Sequence, residues 1–399
     1  MPMGKLASKS EDRVRNAAAS GAAGAEAQIG RFADWMHEAA LPRWACVAAT
    51  RAVPFTECLD AAALPVDTGY VRLRVLARQT AVYAQAASRG WSAWTGAARA
   101  GWEFMAERCW SEDEGWASRV SSAGRVIERR FDLYDQAFAL YACAHWARAS
   151  GAELPLVLAG KTIALIDARL SNGGLGGWTS DRTRAGCDQN SHMHYLEALL
   201  ALQECMPGAP VADRIERILA LAGERLFDPL SGTISEFFRC DWQPATPVPC
   251  VEPGHQFEWY WLLEQARDLG FTPPEIGGRL LAFAEAAGID AATGLVVNGC
   301  APDGRVTDGQ FRLWPQCEAV RAWSLLPGPE RRGRIAHVLE RLFATFLNHA
   351  RRGLWHERLG RAGQALPGPV PATTLYHLWG ACEALQEAPR ARGRVDAPC

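Results

Sequence analysis

The sequence has almost no net charge: 42 Lys and Arg stand against 44 Asp and Glu, a formal −2. That balance leaves no basic field for nucleic acid or for an anionic membrane surface. No apolar run reaches the roughly 18 residues that a membrane-crossing helix needs. Phosphate-cradling loops are missing too. The sequence has no Walker pattern and no serine nucleophile elbow, and the Gly-rich stretch NGGLGGW at 172–178 does not match GxGxxG and reads as a turn. CxxC pairs are absent among twelve cysteines. Most cysteines lie scattered in apolar helical stretches, so they read as reduced, buried small hydrophobes of a cytoplasmic protein.

What is present is apolar bulk. Of 399 residues, 49% are hydrophobic, enough for one large core. Sixteen are tryptophan, whose flat apolar face and single donor suit a sugar ring as well as a core. The first 28 residues are rich in Ala, Ser and Gly, have mixed charge and lack an apolar signal core. They read as a disordered extension, residues 391–399 as a flexible tail, and residues 29–390 as a single catalytic domain.

That domain is built from repeats. Apolar helical stretches recur as VRLRVLARQTAVYAQA, DLYDQAFALYACAHWA, QNSHMHYLEALLALQE, PGHQFEWYWLLEQA, FRLWPQCEAVRAW and TTLYHLWGACEAL. One anchor from each (Arg78, Asp135, His194, His255, Trp314 and His377) gives gaps of 57, 59, 61, 59 and 63 residues. Between them lie more charged stretches with apolar residues at i, i+3, i+4 and i+7, the pattern of a helix with one wet face. Short Gly-punctuated segments such as DPLSGTISEFF follow several of these and read as hairpins or loops. Six apolar helices cannot face water. The expected fold is therefore all-α: an (α/α)6 barrel of six inner and six outer helices, with short β-hairpins or loops at one end. The first outer helix is expected over 30–48, paired around the ring with the last unit.

In such a ring the N-terminal ends of the inner helices meet at one pocket, where helix dipoles favour negative charge on a ligand. The polar residues carried there are Arg78, His192, His194, Glu197, His255, Glu258 and His377. His194/Glu197 and His255/Glu258 share an i, i+3 spacing that puts a carboxylate beside an imidazole, fixing its tautomer and raising its pKa. One such histidine alone would be an ordinary core residue, but three at the same phase of a repeat point to a site. A zinc set of His192, His194, His255 and His377 is the rival; His192 and His194, two apart on one helix, diverge too far to favour it, and no metal is expected. His37, His145, His337 and His349 lack phase partners, while His356 lies in a loop that could reach the pocket. Arg78 sits among apolar neighbours, so it is either ion-paired with Glu258 or Asp135 or kept to stabilise negative charge on oxygen. Trp178, Trp314, Asp135, Glu197 and Gln316 are the candidate substrate contacts. Tyr134 and Asp135 would brace the pocket.

The motifs ARQ, YDQAF, HMHYLEALLAL, PGHQFEWYWLL, RLWPQCE and YHLWGA, in this order, resemble the N-acylglucosamine 2-epimerase superfamily, over roughly residues 30–388. That resemblance implies an (α/α)6 barrel and cofactor-free chemistry at the reducing end of a sugar. It places the superfamily's arginine on Arg78, its three pocket histidines on His194, His255 and His377, and its glutamate on Glu258. Trp259, following that glutamate, looks like the D-mannose and sulfoquinovose isomerase branch, where epimerases usually carry a small residue. The implied reaction is aldose–ketose isomerisation of D-mannose and similar aldoses to D-fructose through an enediol(ate); the alternative is a 2-epimerase of N-acetylglucosamine or cellobiose type. His377 is the expected proton shuttle, His255 tuned by Glu258 the helper in ring opening, His194 a hydroxyl ligand and Arg78 the oxyanion stabiliser. A glycoside hydrolase, which needs two carboxylates across the bond, and a non-catalytic sugar-binding protein are the weaker readings. The expected partner is a neutral monosaccharide, with no nucleic acid and no membrane; a second copy, as a homodimer, is the one macromolecular partner considered.

Overall fold

A computed structural model describes residues 24–48, 52–181, 183, 186–207 and 211–387. The fold is predominantly helical, with twelve long helical elements among the described residues. Helix α1 runs over residues 24–35, a π-turn at Met36–Ala40 and Leu41–Ala48. It is followed by α2 (Leu73–Ser88), α3 (Thr95–Phe104), α4 (Leu133–Ser150), α5 (Leu154–Leu170) and α6 (Gln189–Cys205). The second half holds α7 (Val211–Leu221), α8 (Pro253–Asp268), α9 (Gly277–Gly288), α10 (Leu313–Ser324), α11 (Gly328–Ala344) and α12 (Thr374–Gln386). Residues 24–28, expected in the extension, are already helical. Residues 1–23 and the tail 391–399 lie outside the described residues.

The two helix types differ as the apolar patterns predict. Even-numbered helices are buried almost all round; α10 has no exposed residue from Leu313 to Ser324. Odd-numbered ones bury a stripe, as α7 buries Val211, Ile215, Ile218 and Leu219 and wets the opposite face. Burying each such side chain fully is worth roughly 1.5–3 kcal/mol. Each even helix packs on the next, from α2 to α12, and α12 packs back on α2, while α1 packs on α12.

Local chemistry sets where the inner helices begin. Asp132 and Asp188 cap α4 and α6 by accepting the backbone N–H of Asp135 and Ser191 at 2.8 and 2.6 Å. Pro253 opens α8, where no amide donor is needed. Gly151 ends α4 at φ +68°, a conformation a side chain would strain. The residue leading into each inner helix pairs with a hairpin of the following unit: Arg72 with Arg119, Asp132 with Asp181, Asp188 with Phe237, Val251 with Cys300, Arg312 with Arg358 and Pro371 back with Cys58.

A second device holds these hairpins to the helix starts. The Gln136, Gln256 and Gln316 carboxamides each take both the N–H and the C=O of one hairpin residue: Trp116, Ile234 and Val296, at 2.8 to 3.3 Å. In the third unit His192 stands at this position. Its Nε2 accepts from Trp178 N–H at 3.1 Å and its Nδ1–H donates to Asp188 C=O at 2.8 Å. Both ring nitrogens are therefore occupied, which removes His192 from any metal set. The ten cysteines whose side chains are described are free, and no described helix is long and apolar enough to cross a membrane.

Candidate active site

The starts of the inner helices bring His194, His255 and His377 into one aromatic-walled pocket. Trp314 packs against His255 and His377 with ring centroids 4.8 and 5.5 Å apart. Phe138 and Tyr134 pack on His194 at 4.6 and 5.3 Å, and Tyr376 lies against both His194 and His377. Each histidine gives its Nδ1 to a carboxylate: His377 to Glu318 at 2.6 Å, His255 to Glu236 at 2.8 Å, His194 to Glu197 at 3.1 Å. A carboxylate only accepts, so each Nδ1 carries the proton and each Nε2 is left for a ligand.

The carboxylate differs with depth in the helix. His255 is the third residue of α8, and helical side chains lean toward the N-terminus, so its ring reaches back to the hairpin that holds Glu236. The expected His255–Glu258 pair is not formed. Glu258 lies one turn deeper, with Oε1 3.8 Å from His194 Nδ1. His194, the sixth residue of α6, is out of hairpin reach and does pair i, i+3 with Glu197. His377, the fourth of α12, meets Glu318 of α10.

These surroundings set opposite proton states. Burial works against a charge on His255, but Glu236 outweighs it and lifts the pKa to about 9. Burial lowers His194 to about 4 despite Glu197. His377 is pushed well below its ordinary value by burial, Arg78, His194 and Arg321. Glu197 is held at about 2, the burial penalty being overcome by His194, Arg321 and the Tyr376 hydroxyl. Burial and the neighbouring Glu318 and Glu197 raise Glu258 well above the carboxylate range, and both its oxygens lack a partner. At neutral pH the pocket therefore holds an imidazolium at 255 and neutral imidazoles at 194 and 377, with Glu258 pushed toward its protonated form.

Arg78 has no carboxylate partner. It donates to Tyr134 Oη at 2.7 Å, lies over the Phe138 ring at 4.1 Å, and leaves Nε unpartnered. Both expected ion pairs fail among the described residues: Glu258 lies nearest His194 and Arg321 and not Arg78, and Asp135 is taken by Arg74 at 2.7 Å. His194, Glu197 and Glu258 lie within 4.8 Å of one another, as do Glu258, Glu318 and His377, close enough to share a cation. The guanidinium of Arg321 already stands there, 2.9 Å from Glu318 and 3.4 Å from Glu197.

A family model described as N-acylglucosamine 2-epimerase (GlcNAc 2-epimerase) matches residues 55–381. The chain belongs to the N-acylglucosamine 2-epimerase family. It is a carbohydrate isomerase or epimerase by that membership. A Rhizobium meliloti protein named mannose-6-phosphate isomerase is 35% identical over 90% of this chain and 97% of its own. A Thermobifida fusca D-mannose isomerase is 27% identical over 64% of this chain and 69% of its own. The solved cellobiose 2-epimerase of Bacillus thermoamylovorans B4167 shares the fold, with a TM-score of 0.81 at 17% identity over 90% of this chain and 98% of that one.

Several expected contacts of this family member lie elsewhere. Trp178 is buried against His192 and Tyr195 and donates to Asp167 of α5, so it is wall and not sugar platform. Gln316 is spent on its hairpin clamp. Glu197 and Asp135 hold other side chains. Trp259 is fully buried and donates to Gln189 at 2.6 Å, fixing the start of α6. His356 packs on His349 near α11. Glu236, Glu318 and Arg321 were missed. Glu318 and Arg321 repeat the i, i+3 spacing of the His–Glu pairs, which could have flagged them; Glu236, nineteen residues before His255, carries no periodic signal.

Proposed function

We propose that this chain is an aldose–ketose isomerase acting on D-mannose and similar aldoses to give D-fructose, its helix circuit forming an (α/α)6 barrel over residues 29–390. The observation that carries the reading is the pair of histidines on Trp314 held in opposite proton states. Such a pair supplies one acid and one base at neutral pH. The ring-opened aldose offers its C2 proton to His377 Nε2. As the C–H bond breaks, its electrons form the C1–C2 double bond and negative charge builds on the C1 oxygen, where Arg78, with no carboxylate to satisfy, stabilises it. His255 supplies a proton to that oxygen; the neutral His255 then takes the C2 hydroxyl proton as His377 returns its own proton to C1, so that C2 becomes the ketone and both histidines regain their starting states. His194 and Trp314 hold hydroxyls and the sugar face. The residues invoked act as acid, base and oxyanion partner without a cofactor.

The Rhizobium meliloti relative's name favours a second substrate, mannose 6-phosphate. Against it, the arginines at the helix starts are committed: Arg72 to Glu57, Arg74 to Asp135, Arg130 to Asp132 and Arg312 to Glu252. The test is proton NMR in deuterium oxide with EDTA-treated protein. D-Mannose giving fructose labelled at C1 is expected. Turnover of mannose 6-phosphate alone would move the substrate assignment. A C2-inverted product with deuterium at C2, from mannose, N-acetylglucosamine or cellobiose, would replace isomerisation by 2-epimerisation.

A further inference from the structure

We propose that Arg321 is the positioning residue that fixes the tautomers of His377 and His194 together, by bridging the two carboxylates that orient them. The proposal deepens the isomerase reading, in which His377 is the base. Arg321 is 3% exposed. One guanidinium nitrogen is 2.9 Å from Glu318 Oε2 and the other 3.4 Å from Glu197 Oε1. In each carboxylate the second oxygen holds a histidine: Glu318 Oε1 takes His377 Nδ1, and Glu197 Oε2 takes His194 Nδ1 and the Tyr376 hydroxyl. The guanidinium plane rests on Trp261, 3.8 Å away, which fixes its direction.

A planar fork with several donors can span two carboxylates; a point charge cannot. The bridge matters because the cluster is overloaded. Glu197, Glu258 and Glu318 are all buried and share one guanidinium. Burial and its two carboxylate neighbours push Glu258 toward its protonated form. Glu318 is next: burial raises its pKa and Arg321 opposes the rise. A protonated Glu318 could donate to His377 as well as accept, and Nε2 would no longer be reserved as the lone pair. The groups facing His377 are Glu318 and Arg321 from α10, Arg78 from α2, His194 and Glu197 from α6, and Glu258 from α8. Those facing Arg321 are Glu318, Glu197, Glu258 of α8, Tyr376 of α12 and Tyr141 of α4. Removing the guanidinium takes a cation from beside His377, so His377 and Glu318 both bind protons more readily. The base is then lost from the acid side.

Arg321 also divides the molecule. It lines a cavity of about 280 Å3 at the opposite ends of the same helices, beyond the pocket floor. It therefore acts on the reaction without touching sugar.

The test is nitrogen-15 NMR of histidine-labelled full-length protein, with His377→Asn and His194→Asn assigning the signals. In the parent both rings should be neutral with Nδ1–H and a free Nε2 from pH 6 to 8. In Arg321→Met the His377 signal should become protonated or mixed in tautomer at neutral pH. The acid limb of kcat should move up by about one pH unit, with kcat down about tenfold at fixed pH on that limb and KM little changed. A role in folding alone would lower Tm and leave limb and tautomers in place, and that result overturns the proposal. Should the Met variant not fold, Arg321→Lys carries the test: the shorter lysine keeps the charge but loses the planar fork that reaches Glu318 and Glu197 together, so at least one of the two histidines is expected to lose its tautomer, and both unchanged overturns the proposal equally. The NMR readout needs no substrate, so a parent that turns over none of the sugars counts against the isomerase reading and not against the bridge.

Discussion

The two ends of the inner helices hold the same kinds of residue and use them differently. At the C-terminal end a cavity is lined by Arg89, Tyr141, His145, Arg148, Glu204 and Glu383. Its charges are matched: Arg89 binds Glu383 and Glu387, and Arg148 binds Glu204. His145 is pushed by burial to about 3 and stays neutral. At the N-terminal end the matching is incomplete: among the described residues Arg78 has no carboxylate partner, Glu258 has no hydrogen-bond partner, and His255 is charged while His377 is not. A set of charged residues occurs at both ends. Unmatched charge beside free Nε2 atoms occurs at one, and that is what separates a reactive pocket from a polar hole.

The sharpest way to break this contrast is at His377. His377→Asn should lower the rate of solvent deuterium exchange into the sugar about 1,000-fold or more; a tenfold loss would mean that another group is the base. Arg78→Met comes next, with kcat falling about 100-fold or more and KM changing little, as for a lost oxyanion donor; a pure KM effect would return Arg78 to ground-state binding. Glu236→Gln keeps a hydrogen-bond acceptor and removes the charge, so the pKa of His255 should fall from about 9. Activity that requires charged His255 is lost as pH rises through that value, and the alkaline limb of kcat/KM should shift to lower pH by about one unit or more, a tenfold effect at fixed pH on the limb. The linkage to stability has the same sign: the raised pKa stabilises fully below the ordinary value of about 6.5 and is lost as pH rises through 9. Arg148→Ala, at the other end, should cost about 1 kcal/mol or less in a denaturant melt and leave the rate within about twofold. A large rate effect there would erase the distinction between the ends.

The sequence made the repeat and the three histidines legible, because both rest on spacing along the chain. Arg78 was legible as an arginine among apolar residues. What spacing could not give was direction. His255 and Glu258 share a helix face, yet the lean of a side chain near a helix start sends His255 to Glu236 on a hairpin. Gln316 and His192 looked available for ligand because each sits next to a pocket residue; both point back to hairpin backbone. Trp178 looked like a sugar platform for its composition and its neighbours, and was claimed by the α5–α6 wall. In each case a contact between units, which leaves no periodic trace, decided between two readings that the local pattern treats alike.

The packing of α1 on α12 has a consequence for how the chain acquires its fold. The apolar face of α1, with Phe32, Trp35 and Met36, is synthesised some 300 residues before α12, the helix that packs on it. The strand pair Cys58–Pro371 that joins the first and last units spans most of the chain. Earlier units can dock as neighbours while they emerge, but this seam carries the largest loop-closure entropy and waits for α12. Until then the nascent chain is an open arc with two sticky ends, and chaperone dependence and premature-stop aggregation should concentrate there.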